Sequence, residues 1–96
     1  MPLFALHALD RPNALALRME YYAEHRAFAE GAEAFGVRVI MSGPLQSDDG
    51  QIMTGSFYLL EAPDRAAVET FVAENPFAKQ QVWGDISIRR FHRRIG

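Results

Sequence analysis

The sequence contains no cysteine, which excludes disulfide bonds, cysteine nucleophiles and cysteine-ligated zinc or iron–sulfur centres. No apolar run approaches the roughly 20 residues that span a bilayer. Basic residues are not in excess, because 10 Lys and Arg stand against 12 Asp and Glu. A nucleic-acid surface normally needs a basic excess. We therefore expect neither a membrane nor a nucleic acid as partner. The first residues lack the basic segment of a signal peptide, so we expect a cytoplasmic protein.

What the sequence does contain is an ordinary globular composition. Of its 96 residues, 49% are hydrophobic and 23% are charged. This length predicts a single domain, residues 1–96, with a modest core. Formation of a homodimer or a higher homo-oligomer would bury further apolar surface.

Two long segments open the chain. Leu3–Leu9 is apolar on both alternating sides, which is typical of a central strand. After the break at Asp10–Pro12, the segment from Ala14 to about Phe35 is rich in helix formers with apolar residues three and four apart, which predicts one amphipathic helix ended by Gly36. The later segments are a strand at Val37–Ser42 stopped by Gly43 and Pro44, a turn at Asp48–Gly50, a strand at Ile52–Glu61, a helix from Arg65 to about Ala73, a short helix at Pro76–Gln80, and a strand at Trp83–Arg93.

The resulting order, β-α-β-β-α-β, predicts a ferredoxin-like α+β fold: an antiparallel four-stranded sheet with two main helices on one face. Several strands are apolar on both sides, so the other face would expose a large apolar patch. We therefore expect a dimer in which the sheets of two subunits pack together.

His25 is the best candidate for chemistry, because it lies on the apolar stripe of the first helix with Leu17, Tyr21 and Phe28. An imidazole has a pKa of about 6.5 and can act as acid or base near neutrality. Asp10, at the end of the first strand, is its expected carboxylate partner. Helix geometry complicates the pairing, since His25 lies roughly 18 Å along the axis at ~1.5 Å per residue. A buried structural histidine is the alternative.

A second group of residues is expected to bind substrate. His7 alternates with apolar residues and would line a cavity beneath the helices or between subunits. Gly43 lies in a strand, where a glycine permits close approach of a ligand. The aromatic residues Phe77 and Trp83 would form a rim around the pocket. The candidates are His7, Ser42, Gly43, Pro44, Ser56, Phe77 and Trp83. Each also has a structural explanation in the core, at an interface or in a turn. The histidine spacing fits no metal site, and no cofactor is expected.

Several short segments, taken in order, make the chain similar to the YciI family, whose domain is called YCII-related. They are Phe4–Leu6, Asp10–Pro12, Arg18, Glu24–His25, Ser42–Leu45, Asp48–Gly50, Gly55–Ser56, Glu74–Lys79 and Val82–Phe91. Two residues depart from the family pattern: Asn75 stands where the family usually has Asp, and Phe77 where it often has Tyr.

The resemblance implies a ferredoxin-like fold that dimerises through its sheets, and an active site centred on a histidine and an aspartate, which correspond to His25 and Asp10. Most of the family has no established activity. A related member resembles a dehydrochlorinase that acts on a chlorinated hydroxyquinol. The wider fold group includes muconolactone isomerase and monooxygenases that handle heme or quinols, and these are analogies of fold.

Three hypotheses follow. In the first, the chain is a small cofactor-independent enzyme in which His25, oriented by Asp10, moves a proton on a small cyclic or aromatic substrate, as a lyase, isomerase or dehydrohalogenase. In the second, it is a non-catalytic dimer module that binds or responds to a small ligand. The third, RNA binding through the sheet, is disfavoured because Met53–Leu60 lacks the basic-glycine-aromatic start of RNA-binding sheets and the chain is acidic.

Overall fold

The computed structural model describes all 96 residues, Met1–Gly96. The elements, in chain order, are β1 (Leu3–Asp10), α1 (Leu15–Glu20), α2 (Tyr22–Glu30), a 3₁₀ turn (Ala32–Phe35), β2 (Arg38–Gln46), β3 (Met53–Glu61), α3 (Arg65–Glu74), α4 (Pro76–Lys79) and β4 (Trp83–Phe91).

The four strands form one antiparallel sheet in the order β2-β3-β1-β4. Phe4, Leu6 and Ala8 of β1 are buried beneath the helices, whereas the alternating His7 and Leu9 are exposed on the other face. The prediction of a ferredoxin-like α+β fold is confirmed. We call the side under the helices the inner face and the uncovered side the outer face.

The first helical segment differs from the single helix expected between Ala14 and Phe35. The backbone leaves helical geometry at Tyr21 and again at Gly31, which separates α1, α2 and the 3₁₀ turn. Glycine weakens a helix interior because it gains no side-chain packing and loses more backbone entropy than other residues. Gly36 ends the segment with a left-handed backbone, φ 73°.

The strand β2 is longer than expected, because it continues through Gly43 and Pro44 to Gln46. Our prediction that Gly43 and Pro44 stop the strand is wrong. Proline cannot donate a backbone hydrogen bond, but an edge strand pairs on one side only, so its other side tolerates the missing donor. Pro44 pairs with Ser56 of β3 and lies at the sheet edge.

The second helical unit places an amide inside the protein. Asp64 caps α3 by accepting a hydrogen bond from the Ala67 amide at 3.0 Å. Asn75 then ends α3 and caps α4, with Pro76 in the first helical position, where its missing N–H costs nothing. Asn75 is fully buried. The tight junction between α3 and α4 therefore holds this polar side chain beneath the helices.

Candidate active site

A cleft opens on the inner side of the sheet, between α2 and the edge strand β2. Its volume is about 740 Å³, within the range of about 300–1,000 Å³ that is usual for small-molecule sites. Exposed charged residues, among them Arg26, Glu30 and Arg38, border it. The polar side chains that line it and are buried are Arg18, His25, Ser56 and Tyr58.

The His25 ring is hydrogen-bonded at both nitrogens. Nδ1 lies 2.9 Å from the Asn75 Oδ1. That oxygen also accepts the Phe77 backbone N–H at 3.0 Å, which identifies it as the acceptor. Nδ1 therefore carries the hydrogen, and Nε2 accepts a hydrogen bond from the Tyr58 hydroxyl at 2.9 Å. These hydrogen bonds fit the neutral Nδ1–H tautomer, and the lowered pKa of His25 favours the neutral ring.

Aromatic rings enclose the same imidazole. Phe77 stacks on it with ring centres 3.8 Å apart and planes 3° from parallel. Trp83 and Tyr58 meet it edge-on, with ring centres at 5.8 and 5.9 Å. This packing leaves His25 only 8% exposed.

Burial among these aromatic rings has the largest effect on the pKa values of His25 and Tyr58. Loss of solvation lowers the pKa of His25, and the positive charge of Arg18 lowers it further. The hydrogen bond to Asn75 and the charge of the Asp10 carboxylate raise this pKa, but burial has the largest effect. Burial also raises the pKa of Tyr58 to about 12. The proton between the two rings consequently belongs to the phenol, and the imidazole is the acceptor.

Arg18 is the second buried group of the cleft, with a side chain only 1% exposed. Its Nε donates to Asp10 Oδ2 at 2.7 Å, and its Nη2 lies 3.2 Å from Asp10 Oδ1. Nη2 also donates to the Gly55 carbonyl at 2.6 Å and to the Ser56 hydroxyl oxygen at 2.7 Å. Asp10 thus neutralises and orients a guanidinium whose remaining nitrogen, Nη1, has no partner within the chain.

Ser56 completes this donor set. Its oxygen accepts from both Arg18 and the Trp83 indole N–H, the latter at 3.1 Å. Because both acceptor positions are used, the serine hydrogen stays available to a ligand in the cleft. Arg18 Nη1 and the Ser56 hydroxyl therefore offer two donors on the wall that also holds His25 and Tyr58.

The comparisons with known proteins bear directly on this site. Residues 2–92 match the family model of the YCII-related domain. The chain belongs to this family. No curated protein sequence matches it. The expected resemblance to the YCII-related family is confirmed.

One solved structure of similar sequence contains a ligand. It is the 5-chloro-2-hydroxyhydroquinone dehydrochlorinase TftG from Burkholderia phenoliruptrix AC1100, in complex with 2,5-dihydroxybenzoquinone. The two chains are 32% identical, the alignment covers 94% of this chain and 93% of TftG, and the TM-score is 0.82.

More distant structures share the fold alone. They include the C-terminal domain of the MgtC protein from Mycobacterium tuberculosis and an antibiotic biosynthesis monooxygenase, both 14% identical with a TM-score of 0.55. They cover 95% and 99% of this chain, which covers 88% and 100% of theirs.

The departure of this chain from the YCII-related pattern at residue 75 falls within the site. Where the family usually has Asp, Asn75 accepts the Nδ1–H of His25 without a negative charge. Its own Nδ2 is buried and has no hydrogen-bond partner. Asn75 therefore bonds to the imidazole through an oxygen, as a carboxylate would, but brings no negative charge to it.

The expected contact between Asp10 and His25 is not formed. Asp10 binds Arg18, which is eight residues further along the chain, and both nitrogens of His25 are occupied by Asn75 and Tyr58. The physical reason is that a buried guanidinium offers the Asp10 carboxylate two charge-assisted hydrogen bonds close to the end of β1. Asp10 acts on His25 only through space, by its charge.

The other predicted site residues divide into three groups. Ser42, Gly43 and Pro44 line the cleft from β2, as Ser56 does from β3. Phe77 and Trp83 pack around His25 and do not form a rim. His7 lies on the outer face and is exposed, so it is outside this cleft. Our expectation that it lines a cavity beneath the helices is wrong, because strand alternation turns it away, and a place between subunits stays a prediction.

Three residues of the site were not among the predicted ones: Arg18, Tyr58 and Asn75. Arg18 is seven residues before His25, which places both on one helix face, so a basic residue on that stripe was the available signal. Tyr58 alternates with Ser56 and Leu60 on β3. Asn75 had a capping signal before Pro76, but nothing local indicates that its side chain reaches a residue fifty positions away.

Two further observations describe what the chain contains. No three His, Asp or Glu side chains lie close enough together to hold a metal ion. None of the helices has both the length and the apolar character needed to cross a membrane. The cytoplasmic location stays a prediction.

Proposed function

We propose that this chain is a small enzyme that works without a cofactor and removes a proton from a small aromatic or cyclic substrate, with dehydrohalogenation as the reaction type. The observation that carries the proposal is the neutral His25, held at one wall of a cleft beside the buried Arg18–Asp10 pair. The similarity to TftG, whose reaction is a dehydrochlorination, supports the same reaction class.

The groups present match what such a reaction requires. Loss of HCl from a chlorinated hydroquinone moves one hydroxyl proton to the carbon that bears chlorine. A second hydroxyl proton then goes to a base while chloride leaves with the electron pair of its bond, and the ring becomes a quinone. His25 is the proposed base. Arg18 and Ser56 are the proposed donors for the negative charge that develops on the ring oxygens.

In this proposal Asp10 is a positioning residue. It holds the Arg18 guanidinium through two of its three nitrogens, which leaves Nη1 for the substrate. Ser42, Gly43 and Pro44 are proposed to form the wall against which the substrate ring packs.

The test uses 5-chloro-2-hydroxyhydroquinone, the compound in the name of TftG, and measures released chloride. His25→Ala should lower the rate by roughly 10²–10⁴-fold, the usual contribution of a general base. His7→Ala is the matched control, because it removes an exposed histidine from the outer face, and it should leave the rate unchanged. An active H25A protein with a normal circular dichroism spectrum would end the proposal.

A non-catalytic ligand-binding module is the second candidate, and one observation favours it. Both His25 nitrogens already have partners within the chain, as in a purely structural histidine. This alternative predicts that 2,5-dihydroxybenzoquinone raises the melting temperature, while no chlorinated hydroquinone releases chloride above the rate without protein.

A further inference from the structure

We propose that Tyr58 is the catalytic residue that contacts the substrate, and that His25 takes the substrate proton through the Tyr58 hydroxyl. This inference rests on the proposed function and deepens it. It assigns the direct contact to a residue on the sheet and names the substrate class as ring compounds with an acidic hydroxyl group.

The first step of the argument concerns access to His25. Nδ1 carries a hydrogen and donates to Asn75, so Nε2 is the basic nitrogen of the ring. Nε2 is occupied by the Tyr58 hydroxyl at 2.9 Å. Phe77 stacks against the ring at 3.8 Å and closes that approach. A substrate therefore reaches Nε2 directly only if Tyr58 moves away.

The second step concerns what Tyr58 presents to the cleft. Its ring is packed against His25, Phe71 and Trp83, which holds the hydroxyl in place. The hydroxyl hydrogen points to Nε2. The Asn75 side chain also lies close enough to lower the pKa of Tyr58, which leaves one lone pair of the oxygen for a donor from the cleft. Tyr58 lines the same cleft as Arg18 and Ser56. A substrate O–H is a donor that suits this oxygen.

The proton transfer then balances as a relay of two steps that occur together. The substrate O–H bond breaks as a new O–H bond forms on Tyr58, and the original Tyr58 O–H bond breaks as an Nε2–H bond forms on His25. The products are a substrate oxyanion, a neutral Tyr58 and a His25 imidazolium. No oxidant, metal or external base takes part.

The surroundings favour a relay over a free tyrosinate. Burial raises the pKa of Tyr58 to about 12, so this phenol does not hold a negative charge by itself and must pass its proton on as it gains another. The imidazolium forms beside the oxyanion, and the neutral Asn75 amide keeps accepting its Nδ1–H. Asp10 and Arg18, the two charged groups that shift the pKa of His25, form an ion pair and neutralise each other.

The first experiment compares Tyr58→Phe with Tyr21→Phe in the chloride-release assay. Both variants lose one phenolic hydroxyl, and Tyr21 does not line the cleft. Y58F should lower kcat by roughly 10²–10⁴-fold with KM within about twofold, as for loss of a general acid–base group. Y21F should match the unchanged protein. An active Y58F beside an inactive H25A would show that His25 acts directly and would overturn the relay while the proposed function stands.

The second experiment needs no variant. The rate of the unchanged protein is measured in mixtures of light and heavy water. A relay moves two protons in one step, so kcat should depend on the deuterium fraction along a curve that two isotope effects describe. A straight line, which reports one moving proton, would overturn the relay. A protein that releases no chloride at all would overturn the proposed function and the relay together.

Discussion

The inner and outer faces of the sheet each have one histidine, and the two histidines differ in burial and in hydrogen bonding. His25, on the helix above the inner face, is buried among aromatic rings with both nitrogens bonded. His7, in the middle of β1 on the outer face, is exposed and pairs across the strands with Phe57 and Ser87. The same residue type is thus enclosed and hydrogen-bonded on one side of the sheet and open to solvent on the other.

The difference shows what a candidate site requires beyond residue type. On the inner face, Arg18, Asp10, Ser56 and His25 all hydrogen-bond within the chain, and the Asn75 Nδ2 is a buried polar atom without a partner. The outer face instead leaves large apolar side chains in solvent, among them Leu9, Met41 and Phe91. The buried ionisable side chains of the inner face thus find partners inside one chain, while the outer face has apolar area without a cover.

The largest expected effect comes from breaking the inner ion pair. Arg18→Met leaves the Asp10 carboxylate buried without its cation, which costs about 3–5 kcal/mol of unfolding free energy. Arg38→Met is the control, because the Arg38–Glu61 pair has side chains 63% and 26% exposed and such pairs contribute about 0–1 kcal/mol. Urea unfolding measures both. Equal losses in the two variants would remove the energetic distinction of the inner face.

A smaller effect concerns pH. The pKa of His25 is lowered below its ordinary 6.5 by burial, so between those two values the unfolded chain binds the proton that the folded chain does not. The contribution of His25 to the unfolding free energy is therefore fully present above pH 6.5, and it declines as the pH falls toward the pKa of His25 in the folded chain. Asn75→Asp puts a carboxylate beside Nδ1 and raises the pKa of His25, so this loss should shrink or reverse in N75D.

The measurement is the unfolding free energy near pH ~8 and pH ~5, a range that spans the histidine titration. The control is His25→Asn, which removes the titrating group and should lose the His25 contribution to the slope. A slope that is the same in the unchanged protein, N75D and H25N would mean that burial of His25 has no part in the pH dependence.

The smallest effect on folding is expected from a substitution on the outer face, which should change how strongly two copies of the chain associate. We predict that two copies pack through this face, so Met41→Lys should weaken a dimer because it buries a charge in the contact. Met19→Lys is the matched control: Met19 is 52% exposed on α1 and Met41 is 53% exposed on β2. Sedimentation velocity measures both. A chain that stays monomeric at high concentration contradicts this prediction.

Much of the fold follows from local patterns. The apolar residues of β1 and the order of strands and helices predict a central strand and the four-stranded sheet. They do not predict which side the helices cover, because both sides of β1 are apolar in sequence. The stripe that contains His25 likewise predicts its burial. These features depend on neighbours in sequence, and periodicity records such neighbours well.

The partners of His25 could not be predicted in the same way. Asp10 was a reasonable partner by residue type, but the Arg18 guanidinium binds it first, and Asn75 and Tyr58 arrive from segments fifty and thirty-three positions away. Contacts at that separation depend on how α4 and β3 pack in three dimensions. A single sequence holds no period that encodes them.

The junction between Asn75 and Pro76 has a consequence for the chemical durability of the protein. Asparagine side chains turn into aspartate with age when the backbone nitrogen of the next residue attacks the side-chain amide. Proline has no N–H with which to form that ring, and Asn75 is fully buried. The neutral partner of His25 is therefore protected from spontaneous conversion to a charged aspartate.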